Sequence, residues 1–571
     1  MQNKKGSKRA KEKSNPQKRL LPYAGLIFLS AIIVYYPALK NGILQWDDNL
    51  YVTDNRSINS LANIPFFFKS FFVGNYQPLT MITYSIIWHF NKTAPFLYHF
   101  VNILFHVFNS LLVFYFIYEL LKDINLGLIT GLLFALHPLH VESVAWIAEL
   151  KDVQYAFFFF ISLIFYLKFI RQRKSLYYIL SVSSFLLSLL SKGQAVALFP
   201  TLLLIDYLES GKFFTRLVEK VPFLLLSLIF GVVAVVAQKS DNTIGDFTNV
   251  TFAEQIALAS YSLTMYILKI VLPFNLSSFY PYPTMINGKI PGEYWACLLI
   301  IPLIIYSLIT AFKKNRLIFF GLLFFVANII LLLQLLPVGN CIMADRYTYI
   351  SAIGLDLIIA YLFLKYINSK KQKLALISLL AVYLIFLSVK SYSQVTIWKN
   401  DFTLWNNVLS IYPDISSALV LRGCAYNDKE EYEKALADFN HSIELDSKNG
   451  LAYFNRGVSK SKLGDFTGAL KDYETADKLK IEKRHLFNFY VSWGGALANT
   501  GKINEAMQLF DKAIALDSLN ASVYNNRGIT KAMMGNMNGA LDDFNRAVKL
   551  KPDFDEAINN RNKAIQSTAK K

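Results

Sequence analysis

The chain divides near residue 395 into two parts with different patterns of hydrophobic and polar positions. Before this point, long apolar runs alternate with short polar breaks; after it, charged residues and Asn become frequent and the long apolar runs stop. A run of about 20 apolar residues is needed to cross the hydrocarbon core of a bilayer. The pattern predicts a basic tail at 1–19, a membrane domain at 20–394, a junction at 395–415 and a water-soluble part at 416–571.

Eleven apolar segments are predicted to span the membrane, and residues 253–272 are predicted to be re-entrant or interfacial. The predicted spans are 20–39, 95–121, 126–136, 153–170, 176–190, 195–208, 221–237, 294–312, 317–336, 349–367 and 374–392. Eight Lys or Arg residues precede the first span, which predicts an uncleaved anchor with its N-terminus in the cytoplasm. Basic clusters at 171–174, 212–220, 313–316 and 370–373 fall on the same side. The odd number of spans then places the C-terminal part outside.

The water-soluble part contains a repeat. Glycines recur at spacings of 34, 37 and 34, and each is followed by Ala after 12 residues and by an aromatic residue after 16. The glycines are Gly423, Gly457, Gly494 and Gly528, and the aromatic residues are Phe439, Tyr473, Phe510 and Phe544. This spacing resembles the tetratricopeptide pattern of paired helices. It predicts four repeats and a capping helix, with the small residues allowing close helix packing and the aromatic residue filling the gap between repeats. The whole chain is therefore predicted to be all-α.

Composition narrows the classes of protein that remain. The chain has 571 residues, of which 54% are hydrophobic, and its three cysteines form no C-x-x-C motif, which excludes disordered and disulfide-stapled proteins. The net charge of +18 lies largely in the tail and the basic clusters. These are topology signals, so we expect no nucleic-acid partner.

The candidate chemistry lies in the loops that this topology places outside. Ionisable groups at the membrane edge are functional candidates, because burying charge there is unfavourable. The candidates are Trp46, Asp47 and Asp48 in the first loop; His137, His140, Glu142, Lys151 and Asp152 after the third span; Lys192 after the fifth; and Arg346 and Tyr347 before the tenth.

Each group also has an ordinary structural interpretation. Asp47 and Asp48 are suited to helix caps or a solvated turn. His137, His140 and Glu142 could hold a divalent metal, but Pro138 interrupts a simple helical face and a neutral core network explains them at least as well. Lys192 and Arg346 could be interfacial anchors. The convergence of these groups on one side of the membrane favours a functional site.

Six motifs in this order resemble one family. They are W-D-D-N at 46–49, Y-Q-P-L-T at 76–80, H-P-L-H-V-E-S-V-A-W-I at 137–147, L-K-D at 150–152, S-K-G-Q at 191–194 and A-D-R-Y-T-Y-I at 344–350. Followed by tetratricopeptide repeats, they resemble the transmembrane and tetratricopeptide-repeat O-mannosyltransferase (TMTC) family and its bacterial relatives. One position differs, since Gly193 stands where the family commonly has an acid.

The resemblance implies a GT-C-type glycosyltransferase that uses a polyprenyl-phosphate sugar. A carboxylate at the membrane edge suits the base that takes a proton from the acceptor hydroxyl, and Asp47 and Asp48 are the candidates. Arg346, Lys192 and Lys151 would bind the donor phosphate. Trp46, His137, His140, Glu142, Asp152 and Tyr347 would line the pocket. No cofactor is implied, and the chain has no P-loop or Rossmann fingerprint.

The first hypothesis is therefore transfer of a hexose, with mannose as one candidate, to hydroxyls of a protein acceptor that the repeat array binds. A membrane-anchored scaffold for envelope proteins is the alternative, although one or two spans would suffice for an anchor. A transporter would require duplicated halves, which the sequence lacks. The Lys- and Asn-rich composition favours a bacterial inner membrane with the array on the extracytoplasmic side.

Overall fold

The computed structural model describes residues 16–241, 250–285, 288–335, 339–367 and 369–569. Residues 1–15, which form most of the predicted basic tail, lie outside this range. The chain forms two compact units, Met1–Leu404 and Trp405–Lys571. Each unit is described by itself below.

In the residues that the structure describes, the first unit consists mainly of helices and contains one short strand pair. Its helices are α1 (Pro16–Tyr35), α2 (Ile64–Phe67), α3 (Pro78–Asn91), α4 (Pro95–Leu121), α5 (Ile124–Leu136), α6 (Val141–Ala145), α7 (Leu150–Gln172), α8 (Ser175–Ser191), α9 (Leu198–Ser210), α10 (Leu217–Ser240), α11 (Phe252–Val271), α12 (Gly292–Ala296), α13 (Ile300–Lys314), α14 (Arg316–Ile329), α15 (Ala352–Lys365) and α16 (Lys370–Ile397). Strands β1 (Tyr280–Pro281) and β2 (Cys341–Met343) pair antiparallel.

Six helical segments of the described residues are long and apolar enough to cross a bilayer. They are Leu20–Lys40, Pro95–Leu121, Ile147–Gln172, Leu217–Ser240, Gly292–Lys314 and Lys370–Ile397. Helix α5 and the following Pro138–Ala145 segment, bent by 54°, make a seventh if they count as one broken span. The other predicted spans form helices of 13 to 17 residues, shorter than the ~20 residues that a straight span needs. Length and composition thus give six or seven spans rather than the eleven expected, and α11 is not among them.

The first unit also contains a helix of 14 residues, α3, that the span prediction did not include. Elsewhere in the unit, α14 and α15 come into direct backbone contact. A methyl group added at Gly354 would overlap the carbonyl oxygen of Gly321, so only glycine permits this approach.

The second unit is a series of paired helices, as the repeat predicts. Its helices are α17 (Asp401–Ile411, which begins in the first unit), α18 (Ser416–Asp428), α19 (Tyr432–Leu445), α20 (Gly450–Lys462), α21 (Phe466–Lys478), α22 (Leu486–Asn499), α23 (Ile503–Leu516), α24 (Ala521–Met533), α25 (Met537–Leu550) and α26 (Asp555–Ala569). The four expected pairs are α18–α19, α20–α21, α22–α23 and α24–α25, and α26 follows them.

The repeated glycines and aromatic residues contact each other within a repeat. A methyl group added at Gly423 would lie 2.5 Å from the ring of Phe439, and one at Gly457 would lie 2.7 Å from the ring of Tyr473. Gly494 and Gly528 meet Phe510 and Phe544 in the same way. The predicted close packing is confirmed, but each aromatic ring covers the glycine of its own repeat rather than only filling the gap between repeats.

Candidate active site

The loop after α1 is tied to the start of α7 by one buried carboxylate. Asp48 is fully buried, and its Oδ2 accepts a hydrogen bond from the Leu44 amide at 3.0 Å. Its Oδ1 accepts from the Ala148 amide at 2.8 Å, across 100 residues of sequence. Asp48 therefore holds the Trp46–Asp47 segment against the turn that leads into α7.

The two neighbouring aspartates lie in different environments. Burial raises the pKa of Asp48 to about 7, against the opposing effect of the Leu44 and Ala148 amides. Asp47 is only half-buried. Of the two, Asp47 is the carboxylate that a bound molecule can reach.

A stack of aromatic rings supports this corner of the unit. The ring centroids of Trp46 and Trp146 are 4.5 Å apart, and those of Trp146 and Trp398 are 5.4 Å apart. The Arg346 guanidinium lies 5.5 Å from the Trp146 ring and 5.1 Å from the Tyr347 ring. The first loop and the segment around Arg346, about 300 residues apart in sequence, thus meet through Trp146.

Three cations meet at one carboxylate. Glu149 lies 3.0 Å from Lys151 Nζ, 3.5 Å from Lys192 Nζ and 3.4 Å from Arg346 Nε. These cations come from the first turn of α7, the end of α8 and the turn after β2. The four side chains are buried to different degrees: 2% of the Glu149 side chain is exposed, against 16% for Arg346.

Two further acids complete this charge cluster. Glu142 forms an ion pair with the Arg346 guanidinium and accepts the Arg346 backbone amide at 3.0 Å. Asp152 forms an ion pair with Lys192 and accepts a hydrogen bond from the Ser143 hydroxyl at 3.1 Å. We call Glu142, Glu149, Lys151, Asp152, Lys192 and Arg346 the charge cluster. It contains three acids and three cations in a largely buried setting, where opposite charges must be paired.

Asp345, another buried acid, connects the turn that contains Arg346 to a different part of the unit. Asp345 accepts a hydrogen bond from the Tyr280 hydroxyl at 2.7 Å, which connects the turn to the strand pair. Burial raises the pKa of Asp345 to about 7, opposed mainly by the nearby Lys269 ammonium. Lys269 in turn donates to the carbonyls of Phe274 and Asn275.

The structure brings most of the sequence candidates together, and it gives the two histidines partners other than the charged side chains. His137 contacts the Ile270 carbonyl through Nε2 at 2.9 Å, and His140 contacts the Phe134 carbonyl through Nδ1 at 2.8 Å. The His140 ring packs on Phe134 and Tyr349 in an aromatic core. Within the described residues, no group of three or more His, Cys, Asp or Glu could hold a metal ion.

Several residues of this region were not selected from the sequence. Glu149 is the acid that all three cations share, and its signal is an acid two positions before Lys151 at the start of a helix. Gln77 of the Y-Q-P-L-T motif is fully buried and donates to the Tyr51 hydroxyl at 2.9 Å. Lys151 lies 5.0 Å from the Tyr51 ring. The motif thus connects α3 to the same corner of the unit.

The fold and these contacts define a multi-pass membrane protein with a buried charge cluster, followed by tetratricopeptide repeats. The tetratricopeptide repeat model matches residues 416–449 and 451–480. Among solved structures, the repeat region resembles YrrB, a tetratricopeptide protein, at 23% identity, covering 34% of this chain and 96% of that one with a TM-score of 0.24.

The relatives confirm the resemblance that the motifs indicate. The chain is 25% identical over 449 residues to Protein O-mannosyl-transferase F38B6.6 of Caenorhabditis elegans, covering 74% of this chain and 62% of that protein. It is 22% identical over 602 residues to Protein O-mannosyl-transferase TMTC3 of Homo sapiens, covering 90% of this chain and 63% of that protein. The chain therefore spans a little over three-fifths of the length of these relatives.

Proposed function

We propose that this protein is a membrane glycosyltransferase of the GT-C type. It transfers a hexose, with mannose as the first candidate, from a polyprenyl-phosphate donor to a hydroxyl of a protein acceptor. The observation that carries the proposal is the charge cluster, in which three cations from separate segments of the chain meet at Glu149. The loop that carries the half-buried Asp47 adjoins this cluster, because the Trp146 ring contacts both Trp46 and the Arg346 guanidinium. The names of the relatives supply the sugar and the protein acceptor.

In the proposed reaction, Asp47 is the general base. Its carboxylate takes the proton of the acceptor hydroxyl while that oxygen forms a bond to the anomeric carbon of the sugar. The bond from the anomeric carbon to the phosphate oxygen breaks, and its electron pair stays on the departing lipid phosphate. Asp48 has a positioning role in this proposal, because it is fully buried and its two oxygens accept the backbone amides that hold the loop.

The cations of the charge cluster stabilise the departing phosphate. Arg346 supplies a planar fork suited to two phosphate oxygens, and Lys151 and Lys192 supply point charges. Their burial strengthens each interaction with the developing charge. Arg346 is the most exposed of the three, at 16% of its side chain, so the phosphate approaches from its side of the cluster.

The repeat array binds the acceptor or a partner protein. Tetratricopeptide repeats stack into an extended surface suited to this task. In this proposal the protein lies in a bacterial inner membrane with the array on the extracytoplasmic side. A scaffold without catalysis would account for the array but would leave the charge cluster without a purpose.

The test is transfer of labelled mannose from polyprenyl-phosphate mannose to a Ser/Thr peptide by the protein reconstituted in liposomes. Asp47→Asn is expected to lower transfer by roughly 10²–10⁴-fold, the contribution typical of a general base. The control is Asp54→Asn, which makes the same Asp-to-Asn change at an exposed position of the same loop. This variant should retain activity. Full transfer by the Asp47→Asn protein would refute Asp47 as the base, and full transfer by the Asp48→Asn protein as well would leave neither carboxylate with a role in the reaction.

A further inference from the structure

Glu149 has an unusual position for an acid in a proposed phosphate site. It lies between three cations and is itself almost fully buried. A carboxylate and a phosphate present similar oxygens to Arg and Lys. Glu149 therefore occupies the point where an anionic ligand of these cations would bind.

The partners of the three cations show that Glu149 is the shared acid. Arg346 is also paired with Glu142, and Lys192 is also paired with Asp152. Lys151 also donates to the Ala148 carbonyl at 2.8 Å. Each cation thus keeps an anchor that does not involve Glu149, and an incoming anion can take over the Glu149 contacts without releasing any of the three.

The lengths of the Glu149 contacts point in the same direction. Its distances to Arg346 and Lys192 are 3.4 and 3.5 Å, longer than the roughly 2.7–2.9 Å of a strong charge-assisted hydrogen bond. Only Lys151 is held closer, at 3.0 Å. A phosphate that enters between Arg346 and Lys192 replaces two loose contacts with two short ones.

We propose that Glu149 competes with phosphate for the three cations and thereby promotes release of the lipid-phosphate product. This inference rests on the proposed function. The donor phosphate is a diester with one negative charge, and the lipid phosphate left after transfer is a monoester that can carry two. Three unopposed cations would hold the product more strongly than the donor. The carboxylate of Glu149 returns to the cations as the product leaves.

The experiment compares Glu149→Gln with Glu142→Gln in the reconstituted full-length protein. Both substitutions remove one negative charge from the cluster, but Glu142 also anchors the backbone of Arg346. Glu149→Gln is expected to lower the inhibition constants of inorganic phosphate and polyprenyl phosphate about tenfold, the effect of one interaction of about 1.4 kcal/mol. It should also lower both kcat and the KM for the donor, because product release becomes limiting. Glu142→Gln should not tighten phosphate binding, because Arg346 loses its anchor.

A second variant and a second measurement keep the inference testable. Glu149→Asp retains the charge but withdraws the carboxylate from Arg346 and Lys192, so it should also tighten inhibition by phosphate. Thermal stabilisation by inorganic phosphate measures binding without activity and should rise in both Glu149 variants. Unchanged or weaker phosphate binding would overturn the inference, as would failure of both variants to fold. A wild-type protein that neither transfers sugar nor binds phosphate would instead refute the proposed function.

Discussion

The two units of this protein use pairs of opposite charges in different ways. In the repeat unit, Arg and Asp residues 16 positions apart form bidentate pairs: Arg422–Asp438, Arg456–Asp472 and Arg527–Asp543. Asp472 and Asp543 each pair with one further cation, a lysine. In the charge cluster of the membrane unit, one acid is shared by three cations. Each Arg–Asp pair in the repeats connects the two helices of one hairpin, whereas the charge cluster contains residues from distant parts of the chain.

The third repeat shows what the repeated pairs contribute. It has Trp493 and Leu509 at the positions that hold Arg and Asp in the other three repeats, and it still forms the helix pair α22–α23. Because an apolar pair takes the place of the ion pair in the third repeat, we infer that the ion pairs of the other repeats contribute to helix packing and register. Among the described residues of the membrane unit, the charge cluster has no such internal copy with which it can be compared.

Substitution of glycine by alanine is expected to give the largest difference in stability between the two units. Gly354→Ala would place a methyl group against the Gly321 backbone, which cannot move without shifting α14 or α15. We expect a loss of free energy of unfolding at or above the upper end of the ~1–3 kcal/mol typical of overpacking. Gly457→Ala would meet a side chain, the ring of Tyr473 at 2.7 Å, rather than backbone, so we expect a smaller loss there.

The control for both substitutions is Gly231→Ala in α10, where nothing lies within 4 Å of the added methyl group. It should gain roughly 0.5–1 kcal/mol from helix propensity. Thermal unfolding of the detergent-solubilised protein measures all three. If Gly354→Ala and Gly457→Ala lowered the free energy of unfolding equally, the expected difference between the two units would be wrong.

The pH dependence of stability gives the second test, through Asp48. Its pKa in the folded protein is about 7, against 3.8 ordinarily, so between pH 4 and 7 the folded state holds a proton that the unfolded state has released. Stability from this group is complete below about pH 4 and is lost as the pH rises to 7, at no more than ~1.4 kcal/mol per pH unit. Asp48→Asn should flatten this slope in unfolding measured from pH 5 to 7. Parallel curves for the two proteins would show that Asp48 does not titrate in this range.

Replacing both partners of a repeat pair should give the smallest change in stability. Asp438→Leu alone leaves Arg422 without its bidentate partner and should lower stability by roughly 1–3 kcal/mol. Adding Arg422→Met should restore most of this loss, to within about 1 kcal/mol of wild type. Amide hydrogen exchange of α18 and α19 in the full-length protein reports the effect. A double variant as unstable as the single one would mean that the pair contributes more than packing.

The sequence predicted the repeat unit better than the membrane unit, for a physical reason. Each repeated Gly and the aromatic residue that it contacts lie in the same helical hairpin. The repeat pattern in the sequence therefore predicts which Gly contacts which aromatic residue. Hydropathy locates apolar segments, but it does not reveal that α5 ends at a bend or that α14 and α15 are short. It also missed α3, whose 14 residues are too few for a span.

The candidate site was predictable as a set of residues but not as a set of partners. The motifs selected Asp47, Asp48 and Arg346 on chemistry and order along the chain. Which acid meets which cation depends on contacts between segments 40 to 204 positions apart, and local pattern carries no information about them. Glu149 was missed for that reason, and local pattern likewise does not show that the His140 ring packs on Phe134 and Tyr349.

The most direct test of the account is release of labelled polyprenyl phosphate from polyprenyl-phosphate mannose by the reconstituted protein with an acceptor peptide present. The account predicts that wild-type protein releases it in step with sugar transfer. Arg346→Met should lose roughly 10²–10³-fold of the rate, the effect typical of removing one fixed donor to a developing charge. Release at the wild-type rate without Arg346 would contradict the central claim that the charge cluster binds the departing phosphate.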